Sequence, residues 1–168
     1  MARILIVGGG CRARALAREL SASGHAVRIT TRSSDNRAAI EDTLAECFVG
    51  DPNLLATLRR ALDGVTIACW MLAGARGGED ELQELHSSRL EAFARQLIDT
   101  TVRGFVYERG AAFVGTSAKA LADGERVARE LAAANAIPFA IVDAEIHDRE
   151  EWLRGARAAV AGLLGVEA

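Results

Sequence analysis

The residues best suited to chemistry lie near the start of the chain, where three glycines follow a short apolar run. Residues 3–17 read RILIVGGGCRARALA. Gly8, Gly10 and Ala13 fit the spacing G-x-G-x-x-G/A, which allows a tight turn, a close approach of backbone to phosphate, and close packing of a helix on a strand. The N–H groups at the start of such a helix favour an anion. The pattern predicts a site for the pyrophosphate of a dinucleotide; a tight turn without a ligand is the alternative.

The end of the predicted second strand indicates which dinucleotide fits. An acidic residue there would pair with the ribose 2′-hydroxyl of NAD, whereas an arginine accommodates the 2′-phosphate of NADP. This chain has Arg32 and Ser33 at that place, and no carboxylate before Asp35. Arg12, inside the glycine loop, is a further candidate for the same phosphate. We therefore predict NADP rather than NAD; a solvated arginine at a strand end is the alternative for Arg32.

Other side chains are weaker candidates. Cys11 stands at a helix start beside Arg12, a setting that favours a reactive thiolate, although a small side chain filling the loop is the simpler interpretation. The carboxylates of Glu108, Asp143 and Glu145 follow or end predicted strands, at the edge of the sheet where open α/β folds bind ligands. For these three we favour the simpler interpretation, which is solvation at a strand end or helix capping.

No pattern of metal ligands is visible. His25, His86 and His147 share no spacing with one another or with cysteines and carboxylates, so we interpret each as a surface or capping histidine. Trp70 alternates with apolar neighbours and is predicted to lie in the core. We predict no metal site.

Composition limits the class of protein. The chain has 168 residues, half of them hydrophobic, and this is enough for one domain with a sizeable core. No apolar stretch reaches the roughly 20 residues of a membrane span, and no signal-peptide pattern is present. The net charge of −3 gives no basic field for nucleic acid. Three cysteines without metal spacing suit a reducing compartment. We expect a cytoplasmic protein without nucleic-acid or membrane partners.

Strand and helix patterns alternate along the whole chain. This predicts an α/β fold, a doubly wound parallel sheet of the Rossmann-like type with about six strands, as a single domain over residues 1–168. The predicted strands are 3–7, 26–31, 46–49, 66–72, 104–107 and 139–142. The predicted helices lie within 13–24, 35–44 (a short helix or loop), 51–64, 79–100, 123–135 and 149–164, with small-residue loops over 73–78 and 110–116.

Two segments resemble the NAD(P)-binding core of the atypical and extended short-chain dehydrogenase/reductase family, which includes NmrA-like regulators and relatives of nucleotide-sugar epimerases. They read GGGCRARALARELSASGHAVRITTR and VGDPNLLATLRRALDGV. The resemblance implies that Asp51 lies beside the adenine and that Ala73 and Gly74 pass the adenine ribose and nicotinamide. Cys11 and Arg14 stand where the extended-family loop has glycines, so the G-x-G-x-x-A variant is the better match.

The catalytic half of the family pattern is absent. The family uses a tyrosine four residues before a lysine, which lowers the pKa of the phenol for proton transfer. The only tyrosine here, Tyr107, is followed at that spacing by Ala111, and Lys119 is preceded by Gly115. We expect the nucleotide fold to use all 168 residues of this sequence, leaving none for the substrate domain that relatives append.

Two functions remain open. The absent pair favours a dinucleotide sensor or regulatory protein whose output is an interaction with a partner. The alternative is a diverged NADP-dependent oxidoreductase or epimerase-like enzyme with a non-standard acid/base, for which Tyr107, Glu108 and Lys119 are weak catalytic candidates. A long helix over 79–100 would suit pairing with a second copy, so a homodimer or another protein partner is a further expectation.

Overall fold

A single parallel sheet of six strands forms the centre of the computed structural model, which describes residues 1–110, 116–145 and 147–165. The strands are β1 (Arg3–Val7), β2 (Ala26–Thr31), β3 (Glu46–Val49), β4 (Ile67–Trp70), β5 (Gly104–Glu108) and β6 (Phe139–Val142). Their order across the sheet is β3-β2-β1-β4-β5-β6, and every neighbouring pair is parallel. The predicted doubly wound sheet is confirmed, with β1 and β4 adjacent at the point where the strand succession reverses.

Helices cover both faces of this sheet. They are α1 (Cys11–Ala22), α2 (Arg37–Glu41), α3 (Glu79–Leu85), α4 (Ser88–Gln96), α5 (Ala118–Ala134) and α6 (Arg149–Leu164), with 3-10 helices at Ser34–Asn36 and Leu55–Leu62. Successive side chains of β1 point to opposite faces, as strand geometry requires: Ile4 and Ile6 join the core under α1 and α6, while Leu5 and Val7 join the core under α3, α4 and α5. Both faces being covered explains why the central strands are almost wholly apolar.

The first helix follows its sequence pattern. Its apolar residues at helical spacing, Ala13, Leu16, Ala17 and Leu20, form one buried stripe. The helix ends before Gly24, whose φ of +83° is a left-handed conformation that suits glycine. The stripe packs α1 against the sheet, and this packing fixes the position of the glycine loop from which the helix starts.

The segment after β3 differs from the prediction. The helix predicted within 51–64 would begin at Asp51, with its carboxylate as the cap, but the segment forms a 3-10 helix that begins at Leu55. The Asp51 carboxylate instead accepts a hydrogen bond from the Asn53 N–H at 2.9 Å. This local turn competes with helix capping, as aspartate side chains often do.

The prediction of one helix over 79–100 is also wrong. The structure has two helices here, α3 and α4, and the second of them ends at Gln96. The break lies at His86 and Ser87, where Ser87 has φ −132° and ψ −97°. The Ser87 hydroxyl donates to the Gln83 carbonyl oxygen at 2.7 Å, and the His86 ring hydrogen-bonds to Tyr107 in the core. Burial of the His86 side chain in the core thus ends α3.

Smaller differences concern element ends. The predicted helix over 123–135 begins earlier, at Ala118, because the Ser117 hydroxyl accepts a hydrogen bond from the Ala120 N–H at 3.1 Å and caps it. The predicted fourth strand is shorter, and the fifth extends by one residue to include Glu108. Residues 111–115 of the predicted loop over 110–116 lie outside the described residues.

Among the described residues, no helix combines the length and apolarity needed to cross a membrane.

Candidate functional site

A cleft of about 640 Å³ opens at the carboxyl ends of the central strands, beside the glycine loop. Most of the predicted cofactor-binding residues line it: Gly8, Gly10, Cys11, Arg12, Ala13, Arg32, Ser33 and Gly74. Asp51 and Ala73 do not line the cleft. Ala73 is fully buried, and Pro52 and Asn53, which follow Asp51 in the chain, line the cleft instead. The fold therefore gathers residues from distant parts of the sequence around one opening.

The glycine loop has one position that requires glycine and one that faces open space. Gly8 has φ +122°, and a Cβ there would lie 2.5 Å from the Met71 carbonyl oxygen, so no larger residue fits. Gly10 has φ −68°, and a Cβ there would meet no atom within 4 Å. The Arg14 guanidinium donates to the Gly9 carbonyl oxygen at 3.0 Å and braces the loop. This hydrogen bond stabilises the loop, and the space above Gly10 is free.

Arg32 and Ser33 lie on the β2–β3 side of the cleft. The Arg32 side chain is 60% exposed, and its Nη1 lies 3.9 Å from Oε1 of Glu81 on α3. The same Glu81 oxygen accepts a hydrogen bond from Asn53 Nδ2 at 2.8 Å. Ser33 caps the short 3-10 helix, its hydroxyl accepting from the Asp35 N–H. Sequence reasoning missed Glu81 and Asn53, because no local pattern links α3 to the ends of β2 and β3.

On the β4–β5 side, a buried ion pair joins the glycine loop to the end of β5. Glu108 is fully buried, and its Oε1 accepts hydrogen bonds from Arg12 Nη2 at 3.1 Å and from Trp152 Nε1 at 2.8 Å. Its Oε2 accepts from the Ala73 N–H at 2.8 Å. Our interpretation of Glu108 as a solvated strand end was therefore wrong; the same interpretation holds for Asp143 and Glu145, which are exposed.

The Arg12 side chain is held on several sides. Its Cζ lies 5.5 Å from the centroid of the Trp152 ring, and a Cβ at Gly74 would lie 2.6 Å from Arg12 Nη2. Arg12 pairs with Glu108 at 3.1 Å, and its sharing of a phosphate with Arg32 remains a prediction. Burial raises the pKa of Glu108, and the Arg12 guanidinium and the N–H donors oppose that rise.

Tyr107 and Lys119 do not reach the cleft. Tyr107 is fully buried; its hydroxyl donates to the Leu121 carbonyl oxygen at 3.1 Å and lies 2.8 Å from His86 Nδ1. Burial raises the pKa of this phenol far above its ordinary value. The Lys119 side chain is 81% exposed and pairs with Asp123 at 2.7 Å. Of the three weak catalytic candidates, only Glu108 lines the cleft.

The other side chains considered from the sequence lie partly in the core and partly at the surface. His86 is fully buried, so its interpretation as a surface or capping residue was wrong; burial lowers its pKa to about 4. Cys11 is exposed at the start of α1 and is a free thiol. Trp70 lies in the core as predicted. Within the part of the chain that the structure describes, no group of histidines, cysteines and carboxylates is placed to hold a metal ion.

The charge of the cleft differs from the charge of the chain. Four arginines line it, namely Arg12, Arg14, Arg32 and Arg76, against one carboxylate among the described lining residues, Glu108. The whole chain carries a net charge of −3. A cleft lined by one sign of charge focuses the field and attracts ligands of the opposite sign. The cleft is therefore suited to a polyanion.

No protein-family model and no curated protein sequence matches the chain. Solved structures match its fold. A short-chain dehydrogenase/reductase superfamily protein from Agrobacterium tumefaciens with bound NAD is 19% identical with a TM-score of 0.67, covering 84% of this chain and 48% of that one. Triphenylmethane reductase from Citrobacter sp., complexed with NADP(H), is 19% identical with a TM-score of 0.62 and the same coverage.

A third match is UDP-glucuronic acid 4-epimerase from Bacillus cereus in complex with NAD. It is 14% identical with a TM-score of 0.66, covering 84% of this chain and 56% of that one. The chain thus spans about half the length of the structures that it matches. The resemblance predicted from the sequence is confirmed at the level of the fold: the chain has the Rossmann-like fold of short-chain dehydrogenase/reductase proteins.

Proposed function

We propose that this protein binds a nicotinamide dinucleotide in the cleft beside the glycine loop, with NADP preferred over NAD, and acts as a sensor or regulatory protein. The observation that carries the proposal is the charge of the cleft, where four arginines face one carboxylate in an acidic chain. NAD and NADP are both polyanions, and the matched structures described above are complexes with one or the other.

The residues of the glycine loop fit the pyrophosphate. The first N–H groups of α1 have no partner within the helix and favour an anion. The space above Gly10 is free of protein atoms within 4 Å of a Cβ, so phosphate oxygens have room to approach. The cleft volume of about 640 Å³ lies within the range of small-molecule sites. When bound, a nicotinamide dinucleotide supplies hydride-transfer chemistry.

The preference for NADP rests on Arg32 and Ser33. A guanidinium offers two parallel donors to a phosphate, and a hydroxyl adds a third donor. Arg32 is exposed, and its contact with Glu81 at 3.9 Å is long for an ion pair. Little free energy is lost when such an exposed pair separates, so Arg32 is free to turn towards a 2′-phosphate.

A regulatory role is supported by where the catalytic candidates lie. Tyr107 is buried in the core, and Lys119 is exposed and paired with Asp123. The alternative, a diverged NADP-dependent oxidoreductase or epimerase-like enzyme, would have to use Glu108, whose oxygens already accept three hydrogen bonds. The homodimer remains a prediction, although the continuous helix on which it was based is two helices. A single domain in the cytoplasm also remains our prediction.

Calorimetry on the unmodified protein tests this proposal. At low salt we expect NADP to bind about tenfold or more tightly than NAD, and the advantage to shrink as salt rises, because the site is partly exposed. In the same preparation, NADPH should show little turnover with carbonyl substrates, because no phenol or amine lines the described cleft. Equal affinity for NAD and NADP would contradict the preference, and turnover lost in Tyr107→Phe would contradict the regulatory role.

A further inference from the structure

A carboxylate lies beside the arginine on which the proposed preference for NADP rests. Oε1 of Glu81 is 3.9 Å from Nη1 of Arg32. The end of β2 has no acidic residue of its own, since Arg32 and Ser33 follow Thr31. Glu81 belongs to α3, which comes after the loop that follows β4. The fold therefore brings an acidic group from a distant element to a basic strand end.

Glu81 is held in this place by contacts that do not involve Arg32. Its Oε1 accepts a hydrogen bond from Asn53 Nδ2 at 2.8 Å. A Cβ at Gly77 would lie 2.5 Å from Glu81 Oε2, so the carboxylate occupies space that a side chain at this loop position would need. The next residue of α3, Leu82, is buried in the core and fixes the helix on the sheet. The loop after β3 and the core thus hold the carboxylate at the end of β2.

The charge of Glu81 opposes the binding of a phosphate by Arg32. A guanidinium that already faces one anion 3.9 Å away attracts a second anion less strongly, and the two anions repel each other. Two unit charges about 4 Å apart in water interact by an amount that corresponds to about fivefold in a binding constant. NAD lacks the 2′-phosphate and does not experience this repulsion at Arg32. The carboxylate therefore acts against one dinucleotide more than against the other.

Resting on the proposed preference for NADP, we propose that Glu81 is a specificity-determining residue of the cleft. It lowers the affinity for NADP and so limits the preference over NAD that Arg32 creates. The contact between Arg32 and Glu81, together with the separate hold of Asn53 on Glu81, carries this inference. The affinity for the 2′-phosphate is then a balance between one arginine and one carboxylate. Such a balance suits a sensor, because a weaker complex releases its ligand sooner.

The substitution Glu81→Gln tests the inference, because glutamine keeps the shape of the side chain and removes its charge. By calorimetry at low salt, we expect NADP to bind about three- to tenfold more tightly to this variant than to the unmodified protein, and the affinity for NAD to change by less than about twofold. The gain for NADP should almost vanish at about 1 M salt, where the Debye length is about 3 Å. Circular dichroism verifies the fold.

Glu81→Ala is a second variant that separates the charge of Glu81 from its hydrogen bonding. Alanine removes the carboxylate and cannot donate to a phosphate as a glutamine amide can. We expect the same gain for NADP as in Glu81→Gln, because the gain comes from the lost charge. A gain in Glu81→Gln that is absent from folded Glu81→Ala would overturn the inference.

Glu84→Gln is the matched control. Glu84 lies on the same helix, is exposed and pairs with Arg89 at 3.2 Å, and neither of these two residues lines the cleft. This substitution removes the same charge from α3, and NADP affinity should stay within about twofold of the unmodified protein. An equal gain in Glu81→Gln and Glu84→Gln would overturn the inference, because the total charge of the helix would then act and not the position of Glu81.

A double-mutant cycle measures whether Glu81 acts through Arg32. In Arg32→Ala the 2′-phosphate has lost the donor that holds it beside Glu81. Adding Glu81→Gln to this variant should therefore raise the affinity for NADP by a smaller factor than adding it to the unmodified protein. An equal factor in both backgrounds would contradict the proposed balance between the two side chains.

The outcomes for NAD and NADP distinguish this inference from the proposed function. Unchanged NADP affinity in folded Glu81→Gln would overturn the inference while leaving the preference of the unmodified protein for NADP intact. Weaker binding of NAD by Glu81→Gln would also overturn it, because the carboxylate would then accept hydrogen bonds from the ribose hydroxyls. Absence of binding of both dinucleotides by the unmodified protein would contradict the proposed function and this inference together.

Discussion

At the scale of single residues, Arg32 is the position that decides cofactor choice in this account. The 2′-phosphate of NADP carries close to two negative charges, and a charge-assisted hydrogen bond to it is worth about 1.5–3 kcal/mol. Arg32→Ala should therefore weaken NADP binding by about ten- to a hundredfold and leave NAD binding almost unchanged. Arg32→Asp should invert the preference, because a carboxylate repels the phosphate and accepts from ribose hydroxyls.

Isothermal titration of both dinucleotides checks this prediction. Arg37→Ala is the matched control, because Arg37 is an exposed arginine on α2 that pairs with Glu41 and does not line the cleft. Equal losses for NAD and NADP in Arg32→Ala would show that Arg32 does not read the 2′-phosphate.

The sequence predicted the residues that line the cleft better than it predicted their hydrogen-bond partners. Gly8 and Gly10 occupy the places that the spacing implied, because a glycine pattern records the backbone shape directly. Glu108 and Arg12 were each candidates, but their pairing was missed. They are 96 residues apart in the chain, and no local pattern shows that a strand-end carboxylate is buried until the fold places α1 and α6 over it.

At the scale of elements, strands were predicted more accurately than helices. The observed bounds of β1, β2, β3 and β6 agree with those expected, because buried apolar runs between turn residues mark strands clearly. The break between α3 and α4 was missed, since the helical pattern of apolar residues continues across it. Its cause is the bond between His86 and Tyr107 in the core, which no short-range pattern encodes.

The buried His86 at this break predicts a pH dependence of stability. Burial lowers its folded-state pKa to about 4 from 6.5, so the folded state resists protonation. Below pH 6.5 His86 is protonated in the unfolded chain but stays neutral in the folded chain. The free energy of unfolding therefore falls as the pH falls towards 4. Between pH 7 and pH 4.5 we expect this group to remove about 2 kcal/mol from the free energy of unfolding.

Urea unfolding of the unmodified protein and of His86→Gln at these two pH values isolates this contribution, since all other titrations are shared. The loss of stability on acidification should be smaller in His86→Gln. His147→Gln, at an exposed histidine, should behave as the unmodified protein. The same pH dependence in all three proteins would show that His86 does not resist protonation.

At the scale of the whole molecule, the fold creates a charge distribution that the composition hides. A net charge of −3 gave no reason to expect a positive site. The sheet nevertheless brings Arg12, Arg14, Arg32 and Arg76 to one cleft, while other arginines form exposed pairs such as Arg95 with Glu91. The doubly wound fold was predictable from alternating elements, but the gathering of these cations depends on topology and becomes visible only in three dimensions.

Binding of the dinucleotide in the cleft beside the glycine loop requires free space above Gly10, so the substitution Gly10→Val tests the proposed site. Gly10 has ordinary extended backbone, and its Cβ would meet no atom within 4 Å, so valine should leave the fold intact while filling the space that phosphates need. Gly162→Val is the control, because Gly162 on α6 is equally free of neighbours.

Calorimetry with NADP on these two variants and on the unmodified protein is the decisive measurement, with circular dichroism and thermal unfolding to verify the folds. We expect Gly10→Val to fold normally and to lose at least about a hundredfold in affinity for NADP, while Gly162→Val should bind NADP as the unmodified protein does. Unchanged NADP affinity in folded Gly10→Val would contradict the account, because the dinucleotide would then bind elsewhere.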